Sequence, residues 1–73
     1  MQDTLSLREE EIMELVSKGM TNKEIAQTLK IAVTTAKTHL HNIYAKYLLF
    51  ADSKPDYSVI RLKAVLIYLR ILI

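Results

Sequence analysis

The segment TNKEIAQTLKIAVTTAKTH, from Thr21 to His39, decides the fold because it reads as two short amphipathic helices joined by a tight turn. Thr21 and Glu24 have the spacing of a capping box, in which the two side chains accept backbone amides at a helix start. The sequence therefore predicts one helix over residues 22–29 and another that begins at Val33. This pair is typical of a helix-turn-helix, which makes DNA the first partner to consider.

The second of these helices has two unlike faces. Apolar residues repeat along it at the spacing of a buried stripe, and they are Ala36, Leu40, Ile43 and Tyr47. The opposite face carries short polar and basic side chains, namely Thr34, Lys37, Thr38 and His41. A helix that reads a DNA groove needs this division, because its inner face must be fixed before its outer face can discriminate bases.

The residues before this pair predict a supporting helix. Ser6 and Glu9 form a second capping box, so that the first helix begins at Leu7, and Gly19 ends it in a left-handed cap. Its inner stripe consists of Ile12, Leu15, Val16 and Met20. The acidic residues of this helix are assigned to an exposed face near the positive end of the helix dipole, and they are Glu9, Glu10, Glu11 and Glu14.

The composition favours one small all-α domain. The chain has 73 residues, of which 51% are hydrophobic, with a single Gly, a single Pro and no Cys. Neither a disulfide nor a metal or other cofactor is expected, so helix packing or association with another chain must stabilise the domain. The polar, acidic start of the chain is unlike a signal peptide, which predicts a cytoplasmic location.

An enzyme is not expected, because the sequence holds no glycine-rich phosphate loop and no nucleophile with an acid and a base. The acidic cluster lacks a His, Cys or Asp at ligand spacing, and His39 and His41 point to different faces of one helix. We therefore predict no catalytic residues and no metal site.

Charge is divided unevenly along the chain. The net charge is only +2, but residues 25–51 contain no acid. The basic side chains of this range are Lys30, Lys37, His39, His41 and Lys46. They coincide with the proposed reading helix, which favours nucleic-acid binding over lysines that merely solvate an outer face.

Several segments together resemble the DNA-binding domain of LuxR-type transcriptional regulators, also called GerE- or FixJ-type. They are LSLREEEIMELVSKG (5–19), TNKEIAQTLKI (21–31), TAKTH (35–39), NIYAK (42–46) and RLKAV (61–65). The resemblance implies a single four-helix domain over residues 1–73. The helices are expected at about 7–18, 22–29, 33–49 and 58–72.

The resemblance also implies how such a domain would contact double-stranded DNA. Lys37, Thr38 and His41 occupy the positions from which related domains read bases, with Thr34 nearby. The residues expected on the DNA backbone are Asn22, Lys23, Thr35, His39 and Lys46. For His39, a packed and hydrogen-bonded histidine is the alternative. Tyr44 and Tyr47 are expected in the core or an interface rather than stacked on bases.

The chain departs from the family pattern in two places. Ala32 stands where the family has a capping serine or threonine, which leaves the reading helix without a side-chain cap. The link before the last helix, YLLFADSKPDYSVI, is longer than the resemblance implies. Either the third helix extends through Phe50, or the last helix starts early with Ser53 as its cap. A later start, capped by Ser58, is preferred.

The last helix is apolar around nearly its whole circumference, as the sequence AVLIYLRILI (64–73) shows. It must be buried on more than one side, and at about 1.5 Å per residue it is too short to cross a membrane. Self-association into a homodimer is therefore predicted, as the resemblance also implies. The expected contact residues are Val65, Leu66, Tyr68, Leu69 and Leu72.

The function predicted is that of a sequence-specific transcriptional regulator, or its DNA-binding domain, acting as a dimer on an inverted repeat. An upstream receiver or sensor domain, or RNA polymerase, is the further partner that the resemblance suggests. The alternative is a small interaction module or antagonist that pairs with a regulator through the hydrophobic last helix.

Overall fold

The computed structural model describes residues 5–47 and 56–72, and the side chains of the last helix through Arg70. These ranges contain four α-helices and no strand: α1 Leu7–Ser17, α2 Asn22–Leu29, α3 Val33–Lys46 and α4 Tyr57–Leu72. The prediction of an all-α, four-helix domain is confirmed. The helices enclose one apolar core, to which all four contribute.

Both predicted capping boxes are present. In α1 the Glu9 amide donates to Ser6 Oγ at 3.2 Å, and the Ser6 amide donates to Glu9 Oε1 at 2.8 Å. In α2 Thr21 and Glu24 make the same two bonds, at 3.2 and 2.8 Å. Each box satisfies amides that have no partner inside the helix, so the starts of both helices are fixed by local sequence.

The C-terminal ends of α1 and α2 are each followed by a residue in the left-handed conformation. Gly19, at φ 84°, caps α1 as predicted, and the Met20 amide donates to the Leu15 carbonyl at 3.3 Å. Lys30 adopts the same left-handed region after α2, at φ 58°, where a side chain costs roughly 1 kcal/mol. The turn between α2 and α3 is thus held in a conformation that its own residue disfavours.

The core confirms the inner stripes and adds two residues to them. The most deeply buried large side chains are Ile12, Met13, Ile25 and Ile43. Of the predicted stripe of α3, Ala36, Leu40 and Ile43 are buried, whereas Tyr47 lies at the edge of the core. Met13 and Tyr44 are buried although neither was assigned to a stripe, because three neighbouring helices cover a wider arc of α1 and α3 than one helix could.

Glu9 corrects the expectation that the acidic residues of α1 share one exposed face. Its side chain is only 6% exposed, and its Oε1 accepts from Lys46 Nζ at 2.7 Å as well as from the Ser6 amide. Burial raises the pKa of this carboxyl, but the hydrogen bonds from Lys46 and Ser6 and the Lys46 charge outweigh burial and leave the pKa below its ordinary value. The pair ties the start of α1 to the end of α3.

Two helix limits differ from those expected. α3 ends at Lys46 with Tyr47 as its C-cap, so the prediction that it reaches Leu49 is wrong. α4 begins at Tyr57, and its cap is Asp56, whose Oδ1 accepts the amides of Ser58 at 3.0 Å and Val59 at 3.5 Å. Ser58 is therefore not the cap. These limits also contradict the two alternatives, an α3 that extends through Phe50 and an α4 that starts early after Ser53. Phe50 and Ser53 themselves lie outside the described residues.

The pair between Glu9 and Lys46 predicts a pH-dependent stability. Because the folded state holds the pKa of Glu9 below its unfolded value, this stabilisation is present above the unfolded pKa and is lost as the pH falls through the folded pKa. We expect Glu9→Gln to lower the unfolding free energy by about 1–3 kcal/mol at pH 7 and to flatten its fall on the acid side. Urea unfolding at a series of pH values measures both effects.

The matched control is Glu10→Gln, which removes an exposed carboxylate from the same helical turn. It keeps the Lys46 contact and should leave the acid-side profile of the wild type in place. Equal losses in the two variants would mean that the helix dipole, and not the ion pair, sets the pH dependence.

Candidate nucleic-acid interface

The rear of α3 is fixed by burial against the other helices. Ala36 and Ile43 are 0% exposed and Leu40 is 3% exposed, and they belong to the same apolar cluster as Ile25 and Ala26 of α2. The small side chain of Ala26 allows the two helices to approach closely. The direction in which the other face of α3 points is therefore set by the core.

That outward face carries the base-reading candidates together. Thr34, Lys37, Thr38 and His41 are all exposed on α3. The Thr38 hydroxyl donates to the Thr34 carbonyl at 3.0 Å, so its proton is used within the helix. Thr38 is left with its methyl group and its acceptor lone pairs to offer to a base edge.

The start of α3 has no side-chain cap, as the sequence predicted. Ala32 occupies the N-cap position in an extended conformation, and no side chain bonds to the amides of the first turn. Thr35 is exposed in this turn, beside Thr34. The positive end of the α3 dipole is therefore not offset by any acidic residue of its own first turn.

The start of α2 is held by a residue from α4. Arg61 donates from Nη1 to Asn22 Oδ1 at 2.7 Å and from Nη2 to the Met20 carbonyl at 2.6 Å. These bonds occupy the Asn22 oxygen, which leaves the donors of its amide group as the part that can serve a phosphate. Lys23 is exposed beside it.

Lys46 and His39, two of the residues expected to contact the DNA backbone, are half-buried. Lys46 is half-buried and bound to Glu9, so its ammonium supports the fold and is set apart from the exposed face of α3. His39 is half-buried at the margin of the inner stripe, a position that is compatible with a packed histidine and with a contact to the DNA backbone. The structure therefore brings Thr34, Lys37, Thr38 and His41 onto one face but does not bring Lys46 there.

Tyr44 and Tyr47 belong to the interior. Tyr44 is 5% exposed, and burial raises the pKa of its phenol, against the lowering effect of the Arg61 charge and hydrogen bond. The Tyr47 hydroxyl is buried, and burial together with the charges of Glu9 and Glu10 raises its pKa. Neither ring is placed to stack on a base.

In the described ranges, 5–47 and 56–72, no three side chains of His, Cys, Asp or Glu type are grouped as metal ligands. Within the same ranges, no helix is long and apolar enough to cross a membrane.

Residues 3–55 match the model of a known family, described as bacterial regulatory proteins, luxR family. The chain belongs to this family. Three relatives are transcriptional regulators by name. The monoamine regulon transcriptional regulator of Klebsiella aerogenes is 50% identical over 42 residues, which are 58% of this chain and 18% of that protein. LiaR of Bacillus subtilis is 48% identical over 44 residues, 60% of this chain and 21% of that protein.

The third relative, the HTH-type transcriptional regulator MalT of Vibrio campbellii, is 45% identical over 42 residues, 58% of this chain and 5% of that protein. The luxR-family chain thus spans about a fifth or less of the length of these relatives. No solved structure matches it.

The chain is a DNA-binding domain of the transcription-regulator class, and α2 and α3 form its helix-turn-helix. The family match ends at residue 55, before α4 begins at Tyr57.

The site contains one residue that sequence reasoning did not assign to it. Arg61 was identified only as part of the family resemblance, yet it joins α4 to the start of α2. Its partners lie 39 and 41 positions away in the chain, so no local spacing could reveal them. The one available signal was a guanidinium near the start of a helix that is otherwise largely apolar.

The uncapped start of α3 gives a prediction about stability. We expect Ala32→Ser to raise the unfolding free energy by about 1 kcal/mol, because a serine at the N-cap accepts an amide that now has no side-chain partner. Urea unfolding measures the change. Ala45→Ser is the control, since it makes the same substitution at an exposed position inside α3 and should stabilise nothing. A gain of the same size at both positions would show that the cap is not the cause.

Proposed function

We propose that this luxR-family domain binds double-stranded DNA sequence-specifically, with α3 in the major groove. The observation that carries the proposal is the exposure of Lys37, Thr38 and His41 on one face of α3 whose opposite face is buried. A major groove about 12 Å wide admits one α-helix and its side chains. The anchored helix presents these residues together, as groove reading requires.

Each residue has a base edge that it can recognise. The Lys37 ammonium can donate to O6 and N7 of guanine, and the Thr38 methyl can contact the methyl group of thymine. The His41 imidazole can donate or accept, and Thr34 is a nearby candidate at the start of the helix. This set combines one charged donor with short side chains that allow close approach to the groove floor.

Contacts to the DNA backbone fall to the starts of α2 and α3. Lys23, the Asn22 amide and the Thr35 hydroxyl supply donors there, and His39 is a further candidate at the edge of the core. Lys46 is left out because its ammonium is bound to Glu9. With few cations available, one copy should bind weakly.

A second copy of the chain is the proposed partner of α4. The outward side of this helix carries an apolar stripe, formed by Val59, Leu62, Leu66 and Leu69, which are 41–60% exposed. Val65 is half-buried beside the core, and Tyr68 is buried in it, with its hydroxyl donating to Glu14 at 3.0 Å. Tyr68 is therefore removed from the predicted set of dimer contacts, and Val59 and Leu62 are added to it. The Leu72 side chain lies outside the described residues.

Pairing through this stripe would place two reading helices about 34 Å apart on an inverted repeat. We propose that the dimer acts in the cytoplasm, on the bacterial nucleoid, with a receiver or sensor domain or RNA polymerase as its regulatory partner. The relatives, named as transcriptional regulators, support this context. They do not favour the alternative of an antagonist without DNA binding.

The reading role of Lys37 predicts a loss of specific binding. We expect Lys37→Ala to weaken binding to the preferred duplex by about 1–3 kcal/mol, while binding to random duplexes changes much less. The preferred duplex is first obtained by selection from a random pool, and fluorescence anisotropy then gives both affinities. Lys18→Ala is the control, because it removes the same charge from an exposed position at the end of α1. Unaltered discrimination by Lys37→Ala would remove this residue from the reading set.

The apolar stripe predicts a dimer that polar substitution dissociates. We expect the double variant Leu62→Gln/Leu66→Gln to shift the chain toward the monomer, because each substitution removes an exposed apolar side chain from the centre of the stripe. Sedimentation equilibrium measures the association constant. Lys63→Gln, on the same helix but outside the stripe, should associate like the wild type. An association constant that the double variant leaves intact would rule out this surface.

A further inference from the structure

An open cleft of about 540 Å³ lies beside the reading face, between α3 and the first turn of α4. One wall comes from α3 and the other from α4, with one residue from the start of α2. The lining residues are Asn22, Lys37, Leu40, His41, Tyr44, Tyr57, Ser58 and Arg61. Two of them, Lys37 and His41, also belong to the proposed reading face, so the cleft and that face are continuous.

The chemistry of the lining suits an anion. It includes an ammonium, a guanidinium and an imidazole, and none of the lining residues is acidic. The nearest acidic residue in sequence is Asp56, whose carboxylate accepts the amides of Ser58 and Val59 as the cap of α4. Tyr57 is 55% exposed and Ser58 is exposed, which makes both accessible from solvent.

The two walls are fixed relative to each other. Arg61, part of the lining, donates to the Asn22 side chain and to the Met20 carbonyl at the start of α2. One turn of α4 further along, Ala64 is fully buried in the core. The first turn of α4 is therefore held beside α3, so the hydroxyl groups at its surface have a defined position next to Lys37 and His41.

We propose that this cleft receives the sugar-phosphate backbone of the DNA strand that borders the bases read by α3. Tyr57 and Ser58 contact the phosphates from the α4 side, and Arg61 is a positioning residue that holds this turn against α2. This assignment rests on the proposed function, because the cleft is filled only when α3 enters the groove. It adds to the interface a helix that lies beyond the family-matched residues.

The contact lies next to the proposed dimer surface. Leu62 and Leu66 lie on the side of α4 away from the core, whereas Arg61 faces α2 and Tyr57 lines the cleft. Ser58 lies between the two surfaces, one residue before Val59. One helix would thus serve two partners, a second copy of the chain on its outer side and a DNA strand at its start.

The decisive variant is Ser58→Asp, which places a carboxylate in the cleft. An acidic residue in the first turn of a helix favours folding, so the urea-unfolding midpoint should stay at or above that of the wild type. We expect binding to fall by about tenfold or more for preferred and random duplexes alike, because like charges repel the phosphates of any sequence. Tyr57→Phe, which removes only a hydroxyl, should weaken both duplexes by a smaller, equal factor.

The matched control is Leu7→Asp, which puts the same carboxylate in the first turn of α1, at a residue that is 82% exposed and does not line the cleft. It should bind DNA within about twofold of the wild type, since a screened charge away from the interface has little effect. Fluorescence anisotropy at two salt concentrations compares the variants, and sedimentation equilibrium checks that Ser58→Asp and Leu7→Asp associate like the wild type.

The outcomes separate this inference from the proposed function. If the wild type binds and Lys37→Ala loses discrimination, but Ser58→Asp binds like Leu7→Asp, the cleft assignment is overturned and the reading role of α3 stands. If Ser58→Asp changes the preferred sequence instead of lowering affinity uniformly, the cleft contacts bases and the backbone assignment is wrong. If the wild type binds no duplex at low salt, both proposals fail.

Discussion

The burial of the inner face of α3 is the constraint on which the rest of the structure depends. Ala36, Leu40 and Ile43 are almost fully removed from water, and a buried side chain of leucine or isoleucine size contributes roughly 1.5–3 kcal/mol. Since rotation of α3 about its axis would expose this face, its outer residues have one direction available. Packing of the inner face therefore fixes the direction of the side chains on the outer face.

Polar contacts between helices add directional bonds to the apolar core. Glu9 binds Lys46, Arg61 binds Asn22 and the Met20 carbonyl, and the Tyr68 hydroxyl binds Glu14. They join α1 to α3, α4 to the start of α2, and α4 to α1. A core this small has limited apolar area, so directional bonds between helices help to select one arrangement.

The buried and exposed faces of the last helix cannot be assigned from its sequence pattern. Its sequence showed that it must be buried on more than one side, but a helix apolar around its circumference has no periodicity that ranks its faces. The structure assigns Ile60, Ala64 and Tyr68 to the core and leaves Leu62 and Leu66 exposed. For the same reason the sequence pattern does not distinguish Tyr68, which is buried and bonded to Glu14, from the exposed apolar residues of α4.

Residue types a few positions apart suffice to predict the two capping boxes, the glycine cap at Gly19 and the outward residues of α3. The burial of Glu9, its bond to Lys46 and the contact of Arg61 with the start of α2 depend instead on how the helices pack. Those contacts join residues 37 to 41 positions apart. They form when the helices pack against one another. The partner of each charged side chain therefore cannot be predicted from the spacing of residues in the sequence.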